Sequence, residues 1–137
     1  MIFVTVGTQL PFDRLVRAVD GWASLGSPEH VIAQVGEGAF TPAHIESHAS
    51  LSPAAFSALV ERADLIVAHA GIGTILKALE MAKPILVLPR LASMGEQRTD
   101  HQVATAEKFE QLGLVRVARS EHDIPHLLDQ MISGHPH

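Results

Sequence analysis

Hydrophobic positions along the chain fall into short solid runs, and between the runs they recur every three or four residues. Ile2-Phe3-Val4-Thr5-Val6, Val31-Ile32-Ala33-Gln34-Val35, Asp64 to Ala68, Ile85-Leu86-Val87-Leu88 and Leu114 to Val117 are the solid runs. Their β-branched content and their Gly, Pro or charged borders predict strands. Leu15, Val16, Val19 and Trp22 mark one face of a helix that starts near Pro11-Phe12. Ser52-Pro53 is a helix start, with Ser as N-cap and Pro at the first helical position, continuing to Arg62. Ile75 to Ala82 has helical spacing, with Ile75, Leu76, Leu79 and Ala82 expected to share a buried face, and Pro84 stops it. Thr99-Asp100 opens a helix to about Leu112, closed by Gly113, and Glu121 to Ile132 forms the last, on Ile124, Leu127, Leu128 and Met131. The segment 39–51 is weakly periodic, with room for one short edge strand. Alternating β and α without repeats or linkers predicts an α/β fold. It is an open, mostly parallel, Rossmann-like sheet with helices on both faces, residues 1–137 being a single domain.

The stretch from Asp64 to Pro89 is a complete strand–turn–helix–strand unit, which implies a right-handed crossover between parallel strands. Its turn, His69-Ala70-Gly71-Ile72-Gly73-Thr74, carries the candidate chemistry. Gly71 and Gly73 let backbone approach a ligand, and the helix behind them presents unpaired N–H groups and a positive dipole end. Gly7-Thr8-Gln9 repeats the arrangement after the first strand. In open α/β sheets both turns fall at the carboxyl edge, where ligands bind. Either could also be an ordinary βα turn. Neither is a Walker loop, and the third glycine of GxGxxG is replaced by Leu76. His69 either faces the ligand space or simply caps the turn. Lys77 lies one helical turn from Gly73 and Thr74, so it either faces a diphosphate or ligand carboxylate or pairs with Glu80 in solvent. Asp100-His101-Gln102 brings hydrogen-bonding groups suited to sugar hydroxyls, although Thr99 or Asp100 can equally serve as a helix cap.

Composition narrows the partners. A net charge of −5 without a Lys/Arg cluster argues against a duplex footprint, and 4% aromatic content with no Tyr argues against stacking platforms for single strands. Nucleic acid is therefore not an expected partner. The absence of cysteine excludes disulfides and thiolate sites and suits a reducing cytoplasm. Met1 leads straight into a strand-like run, and no apolar run approaches the roughly 20 residues of a membrane span. The expectation is a cytoplasmic chain that reaches a membrane only through another protein. Among nine histidines, His44/His48 and His122/His126 are spaced i,i+4, but no further ligand accompanies either pair. Surface histidines and no metal site are expected, and the end, Gly134-His135-Pro136-His137, reads as a frayed tail.

Taken in order, Phe3-Val4-Thr5-Val6-Gly7-Thr8-Gln9, His69-Ala70-Gly71-Ile72-Gly73-Thr74, Lys83-Pro84 and Asp100-His101-Gln102 resemble the C-terminal, donor-binding half of GT-B glycosyltransferases of family 28. The resemblance covers nearly the whole chain. It extends to small stand-alone subunits, including the cytosolic subunit of the dolichol-pathway UDP-GlcNAc transferase. Pro89-Arg90 and Gly95-Glu96-x-Arg98-x-Asp100-His101-Gln102 are similar to the bacterial capsule and exopolysaccharide branch. The resemblance implies a UDP-sugar as donor substrate and no other cofactor. Donor-binding residues would be Gly7, Thr8, Gln9, His69, Gly71, Gly73, Thr74, Lys77, Asp100, His101 and Gln102. Thr8 and the helix beginning near Gly71 to Thr74 would meet the diphosphate, and His101 and Gln102 the sugar hydroxyls. Lys77 occupies the position where family members carry a ribose-binding Glu, and Glu80 is a turn further on. A cation there raises the prospect of an acidic sugar such as UDP-glucuronate. A membrane-anchored acceptor-binding subunit would supply the acceptor site, the catalytic base and a lipid-linked saccharide acceptor. The product would belong to surface-polysaccharide synthesis by inverting transfer. Two other readings remain: a non-catalytic nucleotide-sugar-binding or regulatory module, and a self-sufficient enzyme using His69 or His101 as base.

Overall fold

The computed structural model describes residues 1–7, 10–26, 29–38 and 40–133. In chain order they form β1 (Ile2–Thr5), α1 (Asp13–Ala23), β2 (Val31–Gln34), β3 (Glu46–His48), α2 (Pro53–Arg62) and β4 (Leu65–His69). They continue with α3 (Ile72–Glu80), β5 (Ile85–Leu88), α4 (His101–Gln111), β6 (Arg116–Val117) and α5 (Ile124–Ile132). The six strands lie in the order β3-β2-β1-β4-β5-β6, and every pairing among them is parallel. This is the doubly wound order whose direction reverses between β1 and β4, opening a crevice at their carboxyl ends.

The solid apolar runs follow from covering both faces of the sheet. Ile2, Val4, Val67, Leu86 and Leu88 point into one core with Leu15, Val16, Val19 and Trp22 of α1 and Ile124 and Leu128 of α5. Phe3, Ile32, Ile66, Ile85 and Val87 point into the other, against Leu59 and Val60 of α2, Ile75 and Ala78 of α3 and Ala106 of α4. Ser52 caps α2 as expected, accepting a hydrogen bond from the Ala55 N–H at 3.1 Å, with Pro53 beginning the helix. The expected edge strand is β3, which follows β2 through a crossover with no helix among its described residues. Asp20 of α1, only 6% exposed, secures that crossover: its carboxylate accepts from Ala43 N at 3.1 Å and His44 N at 2.7 Å.

Three details differ from the sequence expectation. First, α3 starts at Ile72 rather than Ile75, so Gly73 and Thr74 belong to its first turn. Its buried residues are Ile75 and Ala78, while Leu76 is 51% exposed, because the stripe facing the sheet continues through Ala78 and Leu79 rather than Leu76. Ala82 lies beyond the helix altogether. Second, the last helix is divided, with a 3₁₀ turn at Glu121–Asp123 capped by Ser120 and α5 beginning beside Pro125, which has no N–H to donate. Third, His44 and His48 do not share a helix, since β3 holds His48 in extended backbone beside Glu46.

Ala82 closes α3 in a Schellman arrangement. Its N–H donates to Leu79 O at 3.0 Å, the Lys83 N–H donates to Ala78 O at 2.9 Å, and Ala82 takes φ 55°. A left-handed alanine costs about 1–2 kcal/mol that glycine avoids. Ala82→Gly is therefore expected to raise stability by about 1 kcal/mol, read as a later urea midpoint at unchanged slope. An unchanged or earlier midpoint contradicts it.

Candidate functional site

The carboxyl ends of β1, β2, β4 and β5 converge on one crevice, and buried polar side chains shape it. At the end of β1, Gly7 turns the chain with φ 82°. Its N–H donates to Thr5 Oγ1 at 3.3 Å, and that hydroxyl donates to Gln34 Oε1 at 2.7 Å. Gln34 Nε2 in turn donates to Gly7 O at 3.0 Å and Ala49 O at 3.3 Å, joining the exits of β1, β2 and β3. Thr8 and Gln9, the other expected residues of this turn, lie outside the described residues.

Arg90, next but one after β5, is 3% exposed. Its guanidinium donates to the carbonyls of Val6, Leu10, Pro11 and Glu96 and lies over the Phe12 ring at 4.8 Å. One cation thus holds both flanks of the first turn against the segment that follows β5. Behind it, Arg14 donates from Nε and Nη2 to the two Glu96 oxygens at 3.0 Å, from Nη1 to Glu121 at 2.8 Å and from Nη2 to Pro89 O at 3.0 Å. The Leu91 N–H completes the shell of Glu96 at 3.1 Å.

At the end of β4, the His69 ring fits a slot between two glycines. A Cβ on Gly7 would lie 2.8 Å from the ring, and one on Gly71 closer still. Gly71 is therefore required by the protein's own histidine, whereas a Cβ on Gly73 would meet nothing within 4 Å. Burial, reinforced by the Arg90 charge, pushes the His69 pKa down to about 4, so the ring is neutral near pH 7. Its Nδ1 lies 3.1 Å from Gln102 Nε2 and its Nε2 3.4 Å from Thr74 Oγ1. Gln102 Oε1 accepts from the Ala70 and Arg90 N–H groups, each at 3.1 Å, which leaves one amide N–H of the side chain for a ligand.

The N-cap of α3 is Gly71, which offers no side-chain acceptor, so the N–H groups of Ile72, Gly73 and Thr74 point from the helix end without helical partners. Gly73 and Thr74 border a polar pocket of about 350 Å³ lined also by Val6, His69, Gly71, Arg90 and Gln102. Gly7, Leu10 and Gly73 line this pocket and also a larger, more apolar cleft of about 600 Å³ that includes Leu51, Pro53, Phe56 and Lys77. Lys77 thus opens on the cleft, and no ion pair joins it to Glu80.

The structure brings Gly7, His69, Gly71, Gly73, Thr74, Lys77 and Gln102 together around this crevice. It does not bring Asp100 or His101 to either pocket's lining. The Asp100 carboxylate accepts from Ala92 N at 2.9 Å, Thr99 Oγ1 accepts from His101 N at 3.3 Å, and the His101 side chain is exposed. Arg90, Gln34, Arg14 and Glu96 build the site without having been expected there from sequence, although Arg90 and Glu96 fall within the motif similar to the bacterial branch. For Arg90 the available signal was a cation one residue beyond a solid apolar run.

The sequence matches the family model described as Glycosyltransferase family 28 C-terminal domain over residues 1–136. A curated relative, UDP-N-acetylglucosamine transferase subunit ALG13 of Homo sapiens, is 30% identical over 122 residues, 82% of this chain and 10% of that protein. The chain thus spans about a tenth of the length of the curated relatives it matches. Among solved structures, MurG from Acinetobacter baumannii superposes with a TM-score of 0.66 at 20% identity, covering 96% of this chain and 40% of that one. The NMR solution structure of ALG13 gives 0.63 at 22% identity, covering 94% of this chain and 83% of that one. At these identities the likeness to solved structures shows the fold.

Proposed function

The chain belongs to the family of glycosyltransferase family 28 C-terminal domains, and from that premise we propose that it binds the UDP-sugar donor of a two-chain inverting transferase. The observation that carries this is the junction at Gly73, where a polar pocket at a free helix N-terminus opens into an apolar cleft. A diphosphate suits the first, with its N–H donors and positive helix end, and a nucleoside suits the second, beside Leu51, Pro53 and Phe56. In transfer, an acceptor hydroxyl forms the new bond to the anomeric carbon while the bond to the diphosphate breaks. The N–H groups of α3 and the helix dipole stabilise the charge that grows on the leaving UDP. The acceptor site, a lipid-linked saccharide and the base that takes the hydroxyl proton are assigned to a membrane-anchored partner, with this chain on the cytoplasmic face. The name of the human relative, a transferase subunit, supports an assembly of more than one chain. Surface-polysaccharide synthesis is the process proposed, and no cofactor beyond the donor.

Calorimetry tests the core of this reading: saturable UDP binding is expected, and no binding at millimolar UDP, with or without a partner, overturns it. Lys77 stands on the wall of the cleft proposed for the nucleoside, not beside the transferred sugar, so the acidic-sugar prospect raised from sequence does not follow from this pose. The same lysine, standing where the family's ribose-binding Glu is expected, favours the second reading of a binding module without catalysis. Transfer activity on reconstitution with a membrane partner decides against that reading.

A further inference from the structure

We infer that Gln102 is a positioning residue that holds His69 in the Nε2–H tautomer, making it a neutral hydrogen-bond donor aimed into the polar pocket. The argument begins with the amide. Gln102 Oε1 stands 3.1 Å from both the Ala70 and the Arg90 backbone N–H groups. Only an oxygen accepts from two donors, so the amide has one satisfactory orientation, and the opposite one would set its NH₂ against both N–H groups. Its NH₂ therefore faces His69 Nδ1 at 3.1 Å. An amide NH₂ donates and does not accept, so Nδ1 carries a lone pair, and the single proton of the neutral ring sits on Nε2.

The surroundings leave the ring little freedom to escape this assignment. Gly7 and Gly71 flank it so closely that a Cβ at either would collide with it. Among the described residues, the groups facing it from the other elements are Thr74 of α3, Gln102 of α4 and Arg90 beyond β5. Among these only Arg90 is charged, and a second positive charge on the ring would face both that guanidinium and an N–H turned toward N–H at Nδ1. Burial acts in the same direction. Nε2–H is left facing Thr74 Oγ1 at 3.4 Å, at the lining of the pocket. A general base needs a lone pair directed at its substrate, and this ring directs a proton instead, so the base role considered for His69 from sequence does not fit. What the donor is aimed at rests on the UDP-sugar reading above; the tautomer does not.

Long-range ¹H–¹⁵N correlation of the histidine rings in the purified chain, without nucleotide and from pH 5 to 8, tests the inference. His69 is expected to show a protonated Nε2 and an unprotonated Nδ1 across the range. Gln102→Glu supplies an acceptor at Nδ1 while keeping acceptors for Ala70 and Arg90. It is expected to move a proton onto Nδ1 and raise the His69 pKa by at least one unit, a tenfold change in proton affinity. An imidazolium or an Nδ1–H ring in the wild type at pH 7 overturns the inference even if the variant does not fold, and so does a folded Gln102→Glu protein with an unchanged His69. A wild type that shows the expected ring yet binds no UDP overturns the donor-binding proposal and upholds this one.

Discussion

Glu96→Ala is expected to lower folding stability by about 3 kcal/mol, and Arg14→Ala by a similar amount, because each removes the two-bond partner of a largely buried charge. The two side chains are 9% and 10% exposed, so solvent screens their interaction little. Glu96 receives both the Nε and Nη2 donors of Arg14 and the N–H of Leu91. Without that carboxylate, the Arg14 guanidinium keeps Glu121, which is more exposed, and the Pro89 carbonyl. The double variant should lose clearly less than the sum of the singles, since the second substitution removes the charge that the first stranded. Urea denaturation of the four proteins measures this, and single losses below about 1 kcal/mol would falsify the account. Acid should act on the same network. Arg14 holds the Glu121 carboxyl below its usual range, so its contribution is present above the ordinary Glu titration and is lost as pH falls through the depressed value. The damage should also reach the crevice. The Glu96 carbonyl accepts from Arg90, whose other bonds fix Val6, Leu10 and Pro11 around the first turn.

That network shows where reading the chain succeeds and where it stops. Parallel strands covered on both sides need apolar residues at nearly every position, so β1, β2, β4 and β5 stand out as solid runs, and with the alternation of helices they make the doubly wound sheet legible. Ser52-Pro53 is legible for a local reason, as cap and first turn are adjacent. Arg90 is different. It bonds Val6 across 84 positions and Leu10 across 80, and no local pattern encodes a partner that distant. The same holds for Asp20 with Ala43 and His44, and for Gln34 with Gly7. Gln102 stands out as a polar residue at the carboxyl edge, yet its carbonyl serves the backbone of Ala70 and Arg90. The start of α3 is misplaced for a physical reason: glycine is a poor helix residue, so Gly71-Ile72-Gly73 suggests a turn. Gly71 does cap the helix, but Gly73 lies within it, tolerated in a first turn whose open side faces the cleft.

Those two glycines, read from sequence as one phosphate-approach motif, should respond in opposite ways. Gly71→Ala places a methyl inside the van der Waals surface of the His69 ring, which Gly7 blocks on the other flank and Gln102 and Thr74 bond at its two nitrogens. Overpacking of this kind costs about 1–3 kcal/mol, and the ring should leave its slot, visible as a changed histidine nitrogen signature. Gly73→Ala meets nothing within 4 Å and adds a better helix former, so stability should rise by up to about 1 kcal/mol. Its methyl, however, enters the space where the polar pocket joins the apolar cleft, at the N–H groups proposed to hold the diphosphate. Gly73→Val fills more of that junction while the rest of the fold is untouched. UDP affinity should fall by at least about tenfold for alanine, some 1.4 kcal/mol, and below detection for valine. A stable Gly73→Val protein that binds UDP as the wild type does would mean that the ligand approaches another part of the edge. Loss of binding with stability retained would fix the second glycine as the point where the protein's backbone meets its ligand, and the first as the point where it meets its own histidine.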